Sequence, residues 1–520
     1  MTTGTLPHGP TTVSAGGAAS SVRSLASQPA VLAAVVLTLL AAVLRFVGIG
    51  HQGFWFDEGN TALLVHFSPG KMLGLIPQSE STPPLYYCVA WIWARVFGFG
   101  EAPLRSLSAL AGVATVPVMF AAGRRLFNER IGTVAAALVA CNPMLIWYSQ
   151  EARSYSLLVL FSAVTLLTFA SARAQPTPRR LTMWVISCAL ALATHYYALL
   201  VIAPEALWLL VEHRRARGVL IALGALGLCG AVLLPLALSQ NGTGHASWIT
   251  PIALDGRLEQ IIPSFLVGFQ LPAGGVLEPV AKALALLALV LVVVGADGRT
   301  RRVALGIAAI AVGGLAINLL LIAVGIDDLI ARNVLALWPA GALTVAAGLG
   351  ARRAGALGLV AAAALCAIGV TAAIGVQLNR DYQRPDWRGV ARLLGTLPAP
   401  GDGERAIFVQ HYRDLLPLRL YLPHLSFMNP RGAHVRELDV VSFTAPRFHL
   451  CWFGAACNLS GTAMQASYDI PGFHPVWRRQ FAQFTVLALL ADTPALVTPH
   501  RVSRALTNTR FADDELLLQR

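Results

Sequence analysis

Apolar runs of close to twenty residues recur through this chain from residue 28 to residue 376, broken only by short polar loops. A run of that length matches the hydrocarbon core of a bilayer at 1.5 Å rise per residue. A large soluble helical protein would need a polar face on each of these segments, and they lack one. Charged residues are 12% of the 520, against roughly 25% in soluble domains. The sequence therefore predicts a polytopic α-helical membrane protein. The formal net charge of +13 would suit nucleic acid, but the basic residues cluster in the loops between apolar runs, so topology accounts for them.

The loops set the orientation. Arginine is concentrated at 123–130, 173–180, 212–218, 297–302 and 351–353, which the positive-inside rule assigns to the cytoplasm. Between them lie loops with one cation or none, expected to face outward. The alternation gives eleven spans near 29–48, 103–122, 131–148, 154–172, 181–194, 198–211, 218–238, 276–296, 303–324, 333–349 and 354–376. The N-terminus is then cytoplasmic and the C-terminal region extracytoplasmic. The segment "PPLYYCVAWIWARVFGFG" (83–100) is apolar enough to span, but as a span it would turn every Arg cluster outward. It is read instead as an amphipathic or re-entrant helix on the outer face, its Trp and Tyr suited to the interface.

Three regions follow. Residues 1–27, rich in Ser, Thr, Gly, Ala and Pro, read as a disordered cytoplasmic tail, and 28–376 as the membrane domain. In 377–520 the composition shifts to 16 Arg and 12 acidic residues among short apolar stretches such as "AIFVQ", "LDVVSF", "FHLCWF" and "FTVLALL", the pattern of a small extracytoplasmic α/β domain. Cys451 and Cys457 fall there, and an oxidising compartment would permit a disulfide between them. The cysteines show no metal-ligand spacing, and "NLS" at 458–460 is taken as a chance match to a glycosylation acceptor.

The polar residues that escape the topology collect on the outward side: Asp57 and Glu58 in "FWFDEGN", Tyr86 in "TPPLYY", Arg105, Glu151 and Arg153 in "SQEARSY", His195 in "THYY", and Arg332 in "DDLIARN". Each has a plain explanation alone. The two acids suit a helix N-terminus, Glu151 and Arg153 a solvated pair, His195 a turn, and Arg332 an interfacial anchor. Together they form a set of carboxylates, arginines, a histidine and tyrosines at one level of the membrane, where ionisable groups are expensive. Carboxylates can take a proton from a hydroxyl, and arginines can clamp a phosphate and stabilise it as a leaving group. That combination suits group transfer from a phosphorylated, membrane-embedded donor.

The same motifs, in the order "FWFDEGN", "TPPLYY", "LRSLSALAGVATVPVMFAAGRRLF", "NPMLIWYSQEARSYSLL", "THYYALL", "ARNVLALWP" and "RPDWRGVARLL", resemble the membrane glycosyltransferases related to protein O-mannosyltransferases and the lipid A aminoarabinose transferase, over about residues 40–395. The resemblance implies a GT-C fold and a polyprenyl-phosphate sugar as donor. The acceptor would be a hydroxyl on a glycan, lipid or protein. It makes Asp57 the catalytic base and Glu58 its catalytic partner, and places Arg105, Glu151, Arg153, His195, Arg332 and Tyr86 around the donor phosphate or substrate. The family often has His where this chain has Thr82, so a metal or extra proton-transfer role at that position is not carried over. Some members bind a divalent cation; no metal ligand or cofactor is assigned from this sequence. A mannose-like sugar is the first expectation, with arabinose or an amino sugar on the same scaffold as the alternative. A transporter would place its polar residues near the midplane with internal repeats, and a scaffold that binds cell-wall polymer would not need membrane-edge carboxylates.

Overall fold

The computed structural model describes residues 29–245, 247–268, 274–395, 404–409, 414–443, 470–481, 483–505 and 515–520. The 1–27 tail, Cys451, Cys457, the "NLS" stretch and the strand expected at "FHLCWF" lie outside the described residues.

Each of the eleven expected spans is occupied by helix. Among the described residues, eight helices are long and apolar enough to cross a membrane: Pro29–Phe46, Glu101–Leu126, Tyr155–Ala174, Tyr196–His213, Arg217–Asn241, Gly274–Val294, Gly298–Ala323 and Arg352–Leu378. The helices Glu129–Cys141 and Pro143–Ser149, which meet at 57°, are together long and apolar enough for a ninth. The Pro178–Thr194 helix, with 17 residues, and the Leu335–Leu349 segment are shorter. Large apolar side chains such as Leu39, Ile221, Val232 and Leu286 point out of the bundle, as lipid contact requires. The Arg-rich loops and the "FWFDEGN" motif lie at opposite ends of these helices, which follows from the alternation along the chain.

Sequence periodicity treats 131–148 as one span, and Pro143 breaks it. Proline has no N–H to give to the carbonyl four residues back, which is Val139. Asn142 caps the new helix by accepting from the Leu145 N–H at 3.0 Å. Arg45, fully buried at the end of the Pro29–Phe46 helix, donates from Nη2 to Val139 O at 2.9 Å and from Nη1 to Ala140 O at 3.0 Å. The carbonyls released by the break are thus satisfied from a neighbouring helix.

The first outer segment folds as three short helices, Phe56–Leu64, Pro69–Ser79 and Leu85–Phe97. At 13 residues Leu85–Phe97 is too short to cross a bilayer, as the charge argument requires. Phe54, Leu64, Met72, Ile76, Tyr86, Tyr87 and Ala90 form the core of this segment.

Beyond Leu378 the chain forms a six-stranded sheet of β1 (Arg405–Val409), β2 (Leu425–Phe427), β3 (Ala433–Phe443), β4 (His474–Phe481), β5 (Phe484–Val497) and β6 (Glu515–Gln519), in the order β2-β6-β1-β3-β5-β4. Only the β1–β3 pairing is parallel. Alternation along β1 divides its residues between two cores. Ile407 and Val409 pack under the Trp387–Leu394 and Leu415–Tyr421 helices, and Ala406 and Phe408 pack on the opposite face with Val502. Asp386 starts the Trp387–Leu394 helix by accepting from the Gly389 N–H at 2.9 Å.

Candidate active site

Asp57 and Glu58 occupy the first turn of the Phe56–Leu64 helix. Consecutive helical residues project about 100° apart, so the two carboxylates cannot face the same way. Glu58 turns inward and is fully buried. Its Oε1 accepts from Arg105 Nε at 2.7 Å and from the Ala152 N–H at 2.8 Å, and its Oε2 accepts from Arg105 Nη2 at 2.6 Å. Arg105, equally buried, also donates to the carbonyls of Ile49, Gln52 and Gly53. Every charge in this pair is matched, as a buried ion pair requires. Gly59 lets the helix meet the sheet domain closely: a Cβ there would stand 3.2 Å from the backbone of Leu416 and Pro417.

Asp57 turns the other way, into a cleft of about 280 Å³. Its Oδ2 accepts from Arg332 Nη1 at 2.6 Å. Across the cleft Arg153 Nη1 donates to Glu80 Oε2 at 2.7 Å, while Glu80 Oε1 accepts from Asn60 Nδ2 at 2.7 Å. The Nε atoms of Arg153 and Arg332 are both buried without a hydrogen-bond partner. Each guanidinium therefore has one edge tied to a carboxylate and donor capacity left over, which suits an anion bound between them.

His195, Tyr155, Tyr197 and Asp328 complete the wall. His195 Nδ1 accepts from the Tyr197 N–H at 3.3 Å, which leaves Nε2 as the protonated, donating nitrogen of the neutral ring. Burial, reinforced by Arg153 and Arg332, pushes the imidazole down to about 3, so it is neutral across the physiological range. Tyr197 donates to Asp328 Oδ2 at 2.9 Å; burial raises this carboxyl above its ordinary value, partly opposed by the Tyr197 bond. Trp248 and Tyr155 stack on the Arg332 guanidinium, at 5.6 and 6.0 Å from the ring centroids.

Of the residues singled out in the sequence, Asp57, Arg153, His195 and Arg332 share the cleft. Glu58, Arg105, Glu151 and Tyr86 do not line it. Glu58 and Arg105 neutralise each other and hold the Asp57 helix. Glu151 is fully buried at 3.3 Å from Arg384 Nη2, and burial raises its carboxyl to about 7. Tyr86 hydrogen-bonds Ser108 Oγ at 3.0 Å, which donates to Arg153 O at 3.1 Å, so the tyrosine props the backbone behind the cleft. Sequence reasoning missed Glu80, Asn60, Tyr197 and Asp328. Glu80 stands two residues before Thr82 of a motif already in view, and Asp328 sits within "DDLIARN"; adjacency to those motifs was the available signal.

A divalent cation does not fit this donor set. Asp57 and Glu80 each pair with an arginine, and Thr82, where related chains often carry His, is engaged with the Tyr87 hydroxyl at 2.9 Å. No group of three or more His, Cys, Asp or Glu converges among the described residues.

Residues 81–238 match the family model of dolichyl-phosphate-mannose-protein mannosyltransferase. No curated protein matches the chain in sequence. Among solved structures, ArnT from Cupriavidus metallidurans in the apo state is similar with a TM-score of 0.54 and 13% identity, covering 87% of this chain and 97% of its own. The same ArnT bound to undecaprenyl phosphate gives a TM-score of 0.37 at 16% identity, with coverage of 87% and 97%. The apo oligosaccharyltransferase of Archaeoglobus fulgidus gives 0.48 at 11% identity, covering 84% of this chain and 72% of its own. At 13% identity the likeness to ArnT is one of fold, a multi-pass helical membrane architecture. Residues 81–238 are the part of the chain that is similar to the mannosyltransferase family model.

Proposed function

We propose that this protein transfers a sugar from a polyprenyl-phosphate donor to a hydroxyl acceptor at the extracytoplasmic face, with inversion at the anomeric carbon. The observation that carries this reading is the cleft in which Asp57 stands with two arginines, Arg153 and Arg332, that keep unfilled donor positions. Asp57 takes the proton of the acceptor hydroxyl as its oxygen bonds the anomeric carbon. The bond from that carbon to the phosphate oxygen breaks, and the electron pair leaves with the lipid phosphate. Arg153 and Arg332 receive the developing charge, and binding of the phosphate draws Arg332 partly away from Asp57, releasing the base. His195 stays neutral and donates from Nε2 to the sugar or phosphate.

The positive-inside rule supports the orientation, since the cleft lies at the helix ends opposite the Arg clusters. The same orientation puts residues 377–520 outside, as a domain beside the cleft. A mannose-like sugar is preferred because the family model over 81–238 is described by its dolichyl-phosphate-mannose donor.

The test is transfer of label from polyprenyl-phosphate mannose and, separately, polyprenyl-phosphate arabinose to a cell-envelope extract by detergent-purified protein. Asp57→Asn should insert and purify normally and lose about 10²- to 10⁴-fold in rate, the range of a lost general base. Retained activity in that variant would sink the assignment, and label moving only from the arabinose donor would reverse the sugar preference.

A further inference from the structure

A second cavity, of about 380 Å³, opens where the membrane domain meets the sheet domain, and it shares no lining residue with the sugar-transfer cleft. Its wall is built from Gly50–Gln52 just after the Pro29–Phe46 helix, from residues between Arg380 and Arg392 just after the Arg352–Leu378 segment, and from Gln483 before β5. Both preceding helices are membrane spans, so the cavity stands at headgroup level.

Four arginines line it: Arg380, Arg384, Arg388 and Arg392. Two are engaged with the fold. Arg384 is buried and donates from Nη2 to Trp147 O at 3.0 Å and to Glu151. Arg388 pairs with Glu101 at 3.1 Å and donates to the carbonyls of Gly50 and His51. Arg380 and Arg392 are exposed and have no carboxylate partner among the described residues; Arg392 makes one long bond, 3.4 Å, to Arg388 O. The single acid in the wall, Asp386, already accepts from the Gly389 N–H with Oδ1. Deeper in, Arg384 Nε is buried without a partner, and so is Gln483 Oε1. Gln483 uses its own N–H groups on Arg380 O and Gln383 O, which fixes the amide with its oxygen free.

The cavity thus offers exposed positive charge, an unfilled guanidinium N–H, and one acceptor that an oxyanion cannot satisfy but a hydroxyl can. We propose that it is a binding site for a hydroxyl-bearing phosphate ester at the membrane surface. The phosphate sits among Arg380, Arg384 and Arg392, and the neighbouring hydroxyl donates to Gln483 Oε1. A phosphoglycerol lipid headgroup and a soluble glycerol phosphate share this chemistry. A basic pocket at the ends of membrane spans is a fitting place for the former. The proposal is independent of the sugar-transfer reading and needs no activity assay.

The experiment uses full-length protein and the double variant Arg380→Gln/Arg392→Gln, whose side chains are exposed and carry no ion pair among the described residues. Native mass spectrometry would count phosphatidylglycerol and phosphatidylcholine retained from mixed nanodiscs. Thermal melting in phosphatidylcholine nanodiscs would be followed with added glycerol 1-phosphate and with inorganic phosphate. About tenfold preferential retention of phosphatidylglycerol by wild type, lost in the variant, supports the lipid as source. A variant-sensitive rise in melting temperature with glycerol 1-phosphate, without lipid preference, supports the soluble ester. Equal behaviour of wild type and variant with every probe overturns the site. An equal response of wild type to inorganic phosphate and glycerol 1-phosphate overturns the hydroxyl assignment.

Discussion

Asp57 and Glu58 are neighbours with opposite surroundings, and in the sequence only the family resemblance told them apart. Which one faces the cleft depends on the rotational phase of a nine-residue helix, and that phase is set by Arg105, forty-seven residues away. What was legible was chemical type at the membrane edge, which drew attention to Asp57, Arg153, His195 and Arg332 together. Glu58→Ala leaves the Arg105 charge buried and unpaired, so it should destabilise the protein by about 3–5 kcal/mol. The expected readout is a lowered melting temperature and poor recovery, in contrast to Asp57→Asn, which should melt like wild type. His195 makes a pH prediction. Its folded value, about 3, lies below its ordinary 6.5, so between the two the unfolded chain binds a proton that the folded chain refuses. Its contribution is complete above pH 6.5 and is lost as pH falls toward 3. Glu151, raised to about 7 from 4.5 by burial, acts in the opposite sense over its own interval. Replacing His195 by Gln removes the first effect and keeps the second. The drop in melting temperature between pH 7 and pH 5 should therefore be smaller in His195→Gln than in wild type.

At the scale of elements, run length and Arg spacing were enough to place the eleven long apolar segments on helix and to keep Leu85–Phe97 out of the membrane count. They could not reveal the break at Asn142–Pro143, because the apolar run continues on both sides and its remedy comes from a different helix. Arg45, near the end of the first span, donates to the two carbonyls that the break exposes. Its place is tight as well: a Cβ on Gly112 would stand 2.8 Å from Arg45 Nε and 2.1 Å from Ser149 Oγ. Arg45→Met keeps the length and removes the donors. Each carbonyl left without a partner costs roughly 1–3 kcal/mol, so the variant should lose melting temperature clearly in detergent or nanodiscs. Unchanged melting would mean that water or a side-chain hydroxyl reaches these carbonyls instead. Because Gln150–Ser154 follows the broken span directly and carries Arg153 into the cleft, the same variant should also weaken donor binding.

At the scale of the whole molecule, the sheet domain is part of what holds the loop that leads into Asp57. Its strands β1, β3 and β5 were readable from short apolar stretches such as "AIFVQ", but its docking was not, since the contacts join residues 287 to 367 positions apart. The Tyr421 hydroxyl donates to Glu101 Oε1 at 2.8 Å and accepts from the Phe54 N–H at 2.7 Å, while Arg388 holds the same Glu101. One tyrosine thus ties the sheet domain both to the start of the Glu101–Leu126 span and to the backbone three residues before Asp57. Phe54 is itself buried, so removing the hydroxyl leaves its N–H without an acceptor in a dry setting. Tyr421→Phe should retain the ring and the core of the domain while weakening this tie by about 1–3 kcal/mol. That corresponds to roughly 5- to 150-fold faster opening, measurable as hydrogen exchange at residues 52–58 in the intact protein. Sugar transfer should fall with it, because a base displaced by about 1 Å can lose on the order of a hundredfold in rate. Unaltered exchange with reduced transfer would place Tyr421 in acceptor binding; faster exchange with unaltered transfer would show that the loop reaches its working geometry only when substrate is bound.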